Sequence, residues 1–481
     1  MDASAPNIDP ALQDRDVESF SIDSREVQAG DVFFALSQPE YANNGFNGEF
    51  EDATKYVLSA FAKGAAACVV RRDRYDAYGA ELKQYEDRVI FVDDAILALQ
   101  RLAHGVYLEW NKPVVAVTGS AGKTTAKELT AHVLTSSGRK VLRNIKNYNN
   151  GLGHPLTVLN LAKDKSYDAA VLEMGMSTPL HEIERLCRIT PPDVAVELNV
   201  LPVHVEHLGS IENVAKAKAE LIEGMKAGGT AILNADDPRV MSMQSLSKGP
   251  VLTYGIENTA DVRAMNISFS GFGATKFELS TPEGTAAVEF PLNGKHNISN
   301  ALAAAAVGHV FGMTAAEISE SLYSVEPPPQ RGEVLRFAEG FTVINDSYNS
   351  NPSALLSMVQ TLVESSGDAA RKIVVAGEML ELGSDSENIH RSTGESLAGK
   401  NIDLLIGVRG LGEALVEGAK AGGLSDAKFA DDSVKAGEML AGEIRSGDVV
   451  LVKGSRGVRT EMVIDTLLEK FTLEGKDAAK R

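Results

Sequence analysis

Short apolar runs separated by amphipathic stretches recur along the whole chain, and their spacing predicts strands alternating with helices. In the first hundred or so residues, Asp31–Leu36, Ala66–Val70 and Val89–Val92 read as strands, and Ala53–Ala62 and Ala95–Trp110 as helices. They predict a small α/β domain that ends at Asn111-Lys112-Pro113, because proline cannot continue the last helix. From Val114 to about Val325 the strand candidates are the run from Val114, then Asp168–Glu173, Asp193–Asn199 and Ala231–Asn234, with helices such as Asn213–Met225 between them. Apolar strands separated by helices predict a parallel sheet covered on both faces. Pro327-Pro328-Pro329 reads as a stiff linker. Beyond it, Lys372–Ala376, Asp403–Val408 and Asp448–Val452 predict a third α/β unit.

Composition narrows the class. At 481 residues and 44% hydrophobic, the chain is too long for one core, and the length prior gives about three domains. A net charge of -19 argues against sequence-independent binding of nucleic acid, which needs basic stripes. Cys68 and Cys187 lie far apart in apolar surroundings and predict buried free thiols, not a disulfide or a metal knuckle. Residues 1–18 lack the basic start and apolar core of a secretory leader, and no window is long and apolar enough to span a bilayer. These features predict a cytoplasmic protein with no membrane insertion.

The loop Thr118-Gly119-Ser120-Ala121-Gly122-Lys123-Thr124-Thr125 follows a β-branched run and opens a helix predicted over Thr124–Ser137 and stopped by Gly138. Such a loop is a phosphate cradle. Backbone N–H groups at the helix start face anionic oxygens, Lys123 adds a point charge, and a threonine hydroxyl can reach Mg2+. The spacing is the compact G-x-x-G-K-T-T, since Val117 stands where the longer form has glycine. The expected ligand is a nucleoside triphosphate.

Glu173 ends a strand and precedes Met174-Gly175, a position beside the phosphate loop in parallel sheets, where a carboxylate serves Mg2+. In Asn199–Ser210, His204, Glu206 and His207 leave another strand together. Zinc spacing lacks further ligands, so a second metal near the triphosphate or orientation of a phosphate is the better reading, with His207 simply exposed. Lys216 and Lys218 are two apart on a helix and cannot share a face, so one faces solvent and the other is free to face the site. Asn293–Asn300 reads as helix capping ahead of an alanine-rich helix. Polar loops at Ile344–Pro352 and Val452–Gly457 read singly as turns and jointly as a shared cleft.

Taken together, these residues resemble the Mur ligases, the ATP-dependent amino-acid-adding enzymes of peptidoglycan precursor synthesis, over nearly the whole chain from about residue 20. The resemblance is carried by Gly119–Glu128, Asn149-Asn150 before Gly153-His154-Pro155-Leu156-Thr157, Asp346–Pro352, Gly377–Gly383 and Lys453-Gly454-Ser455-Arg456. It is similar to the branch that adds a D-alanyl-D-alanine dipeptide to UDP-MurNAc-tripeptide. The resemblance implies an α/β chain of three domains: 1–111 for the UDP-substrate, a central P-loop parallel-sheet ATPase domain at 112–326, and a Rossmann-like acceptor domain at 327–481. It implies ATP held by Gly119, Ser120, Ala121, Gly122, Lys123, Thr124 and Thr125, with Asn297 and Asn300 on the adenine side and Arg331 and Asp346 arriving from the third domain. Two Mg2+ ions are implied, served by Thr124, Glu173, His204 and a carbamylated Lys218, with Lys123, Lys218 and His204 as the catalytic set. Ser24, Arg25, Asn149 and Asn150 match substrate contacts, as do Tyr348, Asn349, Asn351, Lys453, Ser455 and Arg456 on the acceptor side. Asn345 and Glu378 depart from the aspartates many relatives carry there. A monomer is expected. The alternatives are another Mur ligase, a folylpolyglutamate synthase-like ligase, or a P-loop nucleotide switch.

Overall fold

In a computed structural model that describes residues 17–46, 49, 51–145, 147–176, 181–201, 208–269, 271, 275–326, 330–367, 371–380 and 382–474, the alternating strands and helices close into three sheets. The first sheet holds β1 (Phe20–Ser21), β2 (Val32–Ala35), β3 (Ala67–Arg71) and β4 (Val89–Val92), all parallel and in that order. The helix Ala95–Trp110 keeps its predicted bounds: Asp94 accepts a bond from Leu97 N at its start, and Asn111 ends it with φ 48°. Its buried residues join Phe34 and Val69 of the first sheet to Val114 and Leu172 of the second in one hydrophobic cluster.

The second sheet runs β13-β12-β11-β10-β9-β8-β5-β7-β6. Its members are β5 (Val114–Thr118), β6 (Val141–Arg143), β7 (Ala169–Glu173), β8 (Val194–Glu197), β9 (Thr230–Asn234), β10 (Val251–Gly255), β11 (Val262–Phe269), β12 (Thr275–Thr281) and β13 (Gly284–Phe290). The wholly parallel expectation for this unit needs correction, because β12 pairs antiparallel with both β11 and β13. Strand β12 alternates buried Thr275, Phe277 and Leu279 with Lys276, Glu278 and Ser280, as a hairpin strand covered on one face does. Strand β8 also stops at Glu197, short of the predicted Asn199, since Asn199 turns away to hold the phosphate loop.

The third sheet, β14-β15-β19-β16-β17-β18, consists of β14 (Glu333–Arg336), β15 (Thr342–Asp346), β16 (Lys372–Gly377), β17 (Leu404–Val408), β18 (Ala427–Ala430) and β19 (Val449–Lys453). Only β14 runs antiparallel. Separate apolar clusters cover its two faces. The last strand in sequence inserts between β15 and β16, which puts Asp346 and Lys453 in register and brings the loops after them to one edge. The linker residues 327–329 lie outside the described residues.

Candidate active site

Strand β5 is buried throughout, and the chain leaves it through a loop that Gly122, at φ 84°, turns into the helix Lys123–Ser136. A Cβ on Gly122 would lie 2.5 Å from Asn300 Oδ1, so the Asn300 side chain rests against the loop and only glycine fits there. Ser120 N donates to Asn199 O at 2.9 Å and Ala121 N to Asn199 Oδ1 at 2.9 Å. Those two amides therefore brace the loop. The N–H groups left for an anion are those of the helix start, Lys123, Thr124 and Thr125, because the first helical bond is that of Ala126 to Gly122 O. Lys123 Nζ donates to Gly119 O at 2.8 Å, folded over the cradle it is expected to serve.

Glu173, at the end of the adjacent β7, is 4% exposed. Its Oε2 accepts from Thr124 Oγ1 at 2.8 Å and its Oε1 from Asn149 Nδ2 at 2.7 Å. Asn144 fixes the same residue by its backbone, donating to Glu173 O and accepting from Glu173 N, both at 2.9 Å. Lys127 Nζ in turn donates to Asn144 O at 2.6 Å. A carboxylate held this firmly beside a helix-start threonine offers two hard oxygen donors next to the phosphate loop.

On the opposite face of the sheet, the helix Ile211–Glu223 buries Lys218 to 2% exposure while Lys216 stays exposed. Glu197, fully buried at the end of β8, is close enough for the two charges to interact, yet among the described residues neither of its carboxylate oxygens has a hydrogen-bond partner. Burial pushes the Glu197 carboxyl up and the Lys218 amine down, and the Lys123 charge lowers Lys218 further. The Lys123 ammonium is itself disfavoured by burial and by Arg331, with Glu173 opposing. Cations from β5's loop, from the helix behind it and from the third unit thus act on one another, with Glu173 and Glu197 supplying charge of the other sign. His204 and its neighbours through His207 lie outside the described residues.

Across the third sheet's edge, Lys453 Nζ donates to Asp346 Oδ2 at 2.5 Å and to Asn349 O at 2.9 Å. Asn351 caps the helix Pro352–Ser366 by accepting from Ala354 N at 2.9 Å, and Ser455, 2% exposed, accepts from Leu380 N at 3.0 Å. Asn349 is exposed and accepts from Ser350 N at 2.9 Å. Arg456 is exposed, and Tyr348 and Arg331 are half-buried. Asn345 donates to Glu333 Oε2 at 2.9 Å, which an aspartate at that position could not do. Asn297 donates to Asn293 O at 2.9 Å, just ahead of its own helix, and His296 beside it faces Ser357, Asp346 and Lys453 of the third unit, where burial lowers it to about 4.

In the first unit Arg25 pairs with Asp23 at 2.7 Å, and Lys63 Nζ donates to Ser24 O and Arg25 O at 2.8 and 3.1 Å. A cavity of about 330 Å³ opens between Ser21, Ile22 and Asp23 of this unit and Tyr148, Asn160 and Lys163 of the central one. Asn150 spends its Oδ1 on Leu152 N and Gly153 N, starting the helix Gly153–Val158. Cys68 and Cys187 are buried free thiols, as predicted. Sequence reasoning missed Asn144, Asn199 and Glu197. Only Glu197, a lone acid in an apolar strand, carried a usable signal.

The profile of the Mur ligase middle domain matches residues 117–308, and that of the Mur ligase, glutamate ligase domain matches residues 330–456. The UDP-N-acetylmuramoyl-tripeptide--D-alanyl-D-alanine ligase of Escherichia coli is 35% identical over 467 residues, 96% of each chain. The enzyme of the same name from Bacillus subtilis is 33% identical over 464 residues, 96% of this chain and 95% of that one. The crystal structure of MurF from Acinetobacter baumannii superposes with a TM-score of 0.83 at 28% identity, covering 95% of this chain and 94% of that one. MurF ligase from Thermotoga maritima in complex with ADP gives 0.80 at 28% identity, covering 96% and 99%. Identity of about a third, sustained across nearly the full length of both chains and joined to a common fold, shows that the chain belongs to the Mur ligase family.

Proposed function

We propose that this chain is an ATP-dependent ligase that joins D-alanyl-D-alanine to UDP-N-acetylmuramoyl-tripeptide, giving the pentapeptide precursor of peptidoglycan. The observation that carries the reading is the glycine loop that Gly122 turns into the helix Lys123–Ser136, with Lys123 folded over it and Glu173 bonded to Thr124 beside it. The tripeptide's terminal carboxylate attacks the γ-phosphate, giving an acyl phosphate and ADP. The dipeptide amine then attacks the acyl carbon and expels phosphate. Lys123 and the helix-start amides neutralise the phosphates so that a carboxylate can approach.

Thr124 and Glu173 fit Mg2+, since both present oxygen at the loop. When bound, the ion supplies charge neutralisation and polarises the phosphoryl group. A hard cation there would take oxygen ligands of this kind and keep several waters beside them. Two ions are proposed, the second served by Lys218 as a carbamate and by His204. Burial favours the unprotonated amine of Lys218, the form that adds CO2 with loss of a proton.

The first-unit cavity beside Asp23 and Tyr148 would take the UDP end, and Ser24, Arg25, Asn149 and Asn150, which follow those two lining residues in sequence, are proposed as further substrate contacts. Arg456 and Tyr348 face the dipeptide. Asn349, Asn351, Lys453 and Ser455 shape their loops, Asp346 meets the nucleotide beside Lys453, and Asn297 and Asn300 stand on the adenine side. The units divide at about 111 and 326. A monomer is proposed. Dependence on ATP favours the cytoplasm, and no helix among the described residues is long and apolar enough to cross a membrane. The test is ADP release by the purified chain with UDP-MurNAc-tripeptide, with and without D-alanyl-D-alanine. Release that requires the dipeptide and yields the pentapeptide mass is expected. Release that ignores it, or a preference for GTP, overturns the reading.

A further inference from the structure

Where the linker enters the third unit, Gln330 adopts a left-handed backbone (φ 61°) despite its long side chain. In that conformation Gln330 O accepts from Tyr348 N at 3.2 Å, and its Oε1 accepts from Arg456 Nη1 at 3.4 Å. The next residue, Arg331, places its guanidinium over the Tyr348 ring, 4.0 Å from the centroid. Arg456 lies over the same ring at 5.7 Å. One aromatic face system thus serves two cations, one on the acceptor loop and one whose charge reaches Lys123 in the phosphate loop. Each cation is attracted to the ring, and the two repel each other.

We propose that Tyr348 is a positioning residue that couples the acceptor and nucleotide sites: a carboxylate held by Arg456 relieves the repulsion across the shared ring and seats Arg331 toward the phosphates. The coupling is reciprocal, because phosphate oxygens at Arg331 relieve the same repulsion from the other side. It would order the reaction so that the activated, water-sensitive acyl group forms beside an occupied acceptor site. The inference rests on the ligase reading, and the test below separates the two.

The measurement is the Kd of a non-hydrolysable ATP analogue by calorimetry, with UDP-MurNAc-tripeptide present, in the absence and in the presence of saturating D-alanyl-D-alanine. In the wild-type chain and in Tyr348→Phe, which keeps the ring, the dipeptide is expected to tighten the analogue at least about fivefold. In Tyr348→Leu that ratio should fall to near one, whatever the affinity for the analogue alone. If Tyr348→Leu does not fold, as judged by its melting curve, Tyr348→Gln replaces a half-buried ring by a polar side chain and carries the same expectation. A wild-type chain with no tightening, or a Tyr348→Leu chain that keeps it, overturns the coupling. A wild-type chain that releases no ADP with all three substrates overturns the ligase reading instead.

Discussion

Lys123 faces carbonyl oxygens of its own loop, at 2.8 Å to Gly119 O, and no apolar cluster depends on it. Lys123→Ala should therefore abolish ADP release, a loss of at least about a hundredfold of the kind seen when a charge-stabilising donor is removed, with an unchanged melting temperature. Turnover at the wild-type rate would refute the phosphate-loop assignment. Lys218 is the opposite case, buried and interacting with Glu197, whose carboxylate has no hydrogen-bond partner among the described residues. If it works as a carbamate, Lys218→Ala should be nearly inactive and partly restored by a short-chain carboxylic acid that refills the missing oxygens. Restoration by a primary amine would show that the nitrogen itself was the working group. Helical spacing alone said that only one of Lys216 and Lys218 could face the site. Choosing between them from residue type was not possible, since a buried lysine needs a partner such as Glu197, which the strand reading passed over. Asn144 and Asn199 were equally illegible, because asparagine in a loop reads as turn chemistry until its partners are known.

At the scale of elements, the parts legible in the sequence were those whose ends are set locally. The helix Ala95–Trp110 is capped by Asp94 and stops at left-handed Asn111, two residues before the proline that the sequence reading relied on. The hairpin β12–β13 was missed because long-range burial, not a local signal, decides that its Thr275, Phe277 and Leu279 face the core. A second non-local device joins two helices through Glu40, whose carboxylate accepts from Ser37 N at 2.6 Å and from Ala95 N at 2.7 Å. Burial pushes this carboxyl up to about 7, against the pull of those two N–H groups. With the folded value above the unfolded one, the folded state binds more protons, so stability falls as pH rises from about 4.5 to about 7 and levels off above it. The fall should be on the order of 3 kcal/mol, seen as a drop in the first unit's melting transition between pH 5 and pH 8. Glu40→Gln should flatten that slope, and a variant with the wild-type slope would assign the titration elsewhere.

For the whole molecule, the decisive geometry is that no single unit owns the site. The phosphate loop and Glu173 belong to the second sheet, while Arg331 enters with the third and is felt at Lys123. The helix Pro352–Ser366 of the third unit also meets the helix Lys295–Val310 of the second, where Ser357 Oγ lies 3.4 Å from His296 Nδ1. Such a division was legible from the sequence only as polar loops at strand ends. Insertion of β19 beside β15, which aligns those loops, depends on sheet order that no local pattern encodes. If the third unit acts by carrying a cation to the phosphates, Arg331→Gln should lower kcat by roughly a hundredfold, the usual cost of losing one transition-state charge donor. The KM for ATP should change far less, because Lys123 and the helix-start amides still hold the ground-state nucleotide. Melting should be unaffected, since Arg331 lies outside the apolar clusters. A large rise in the KM for ATP with little change in kcat would make Arg331 a nucleotide-binding contact, and the idea of a transition-state cation delivered across the unit boundary would fail.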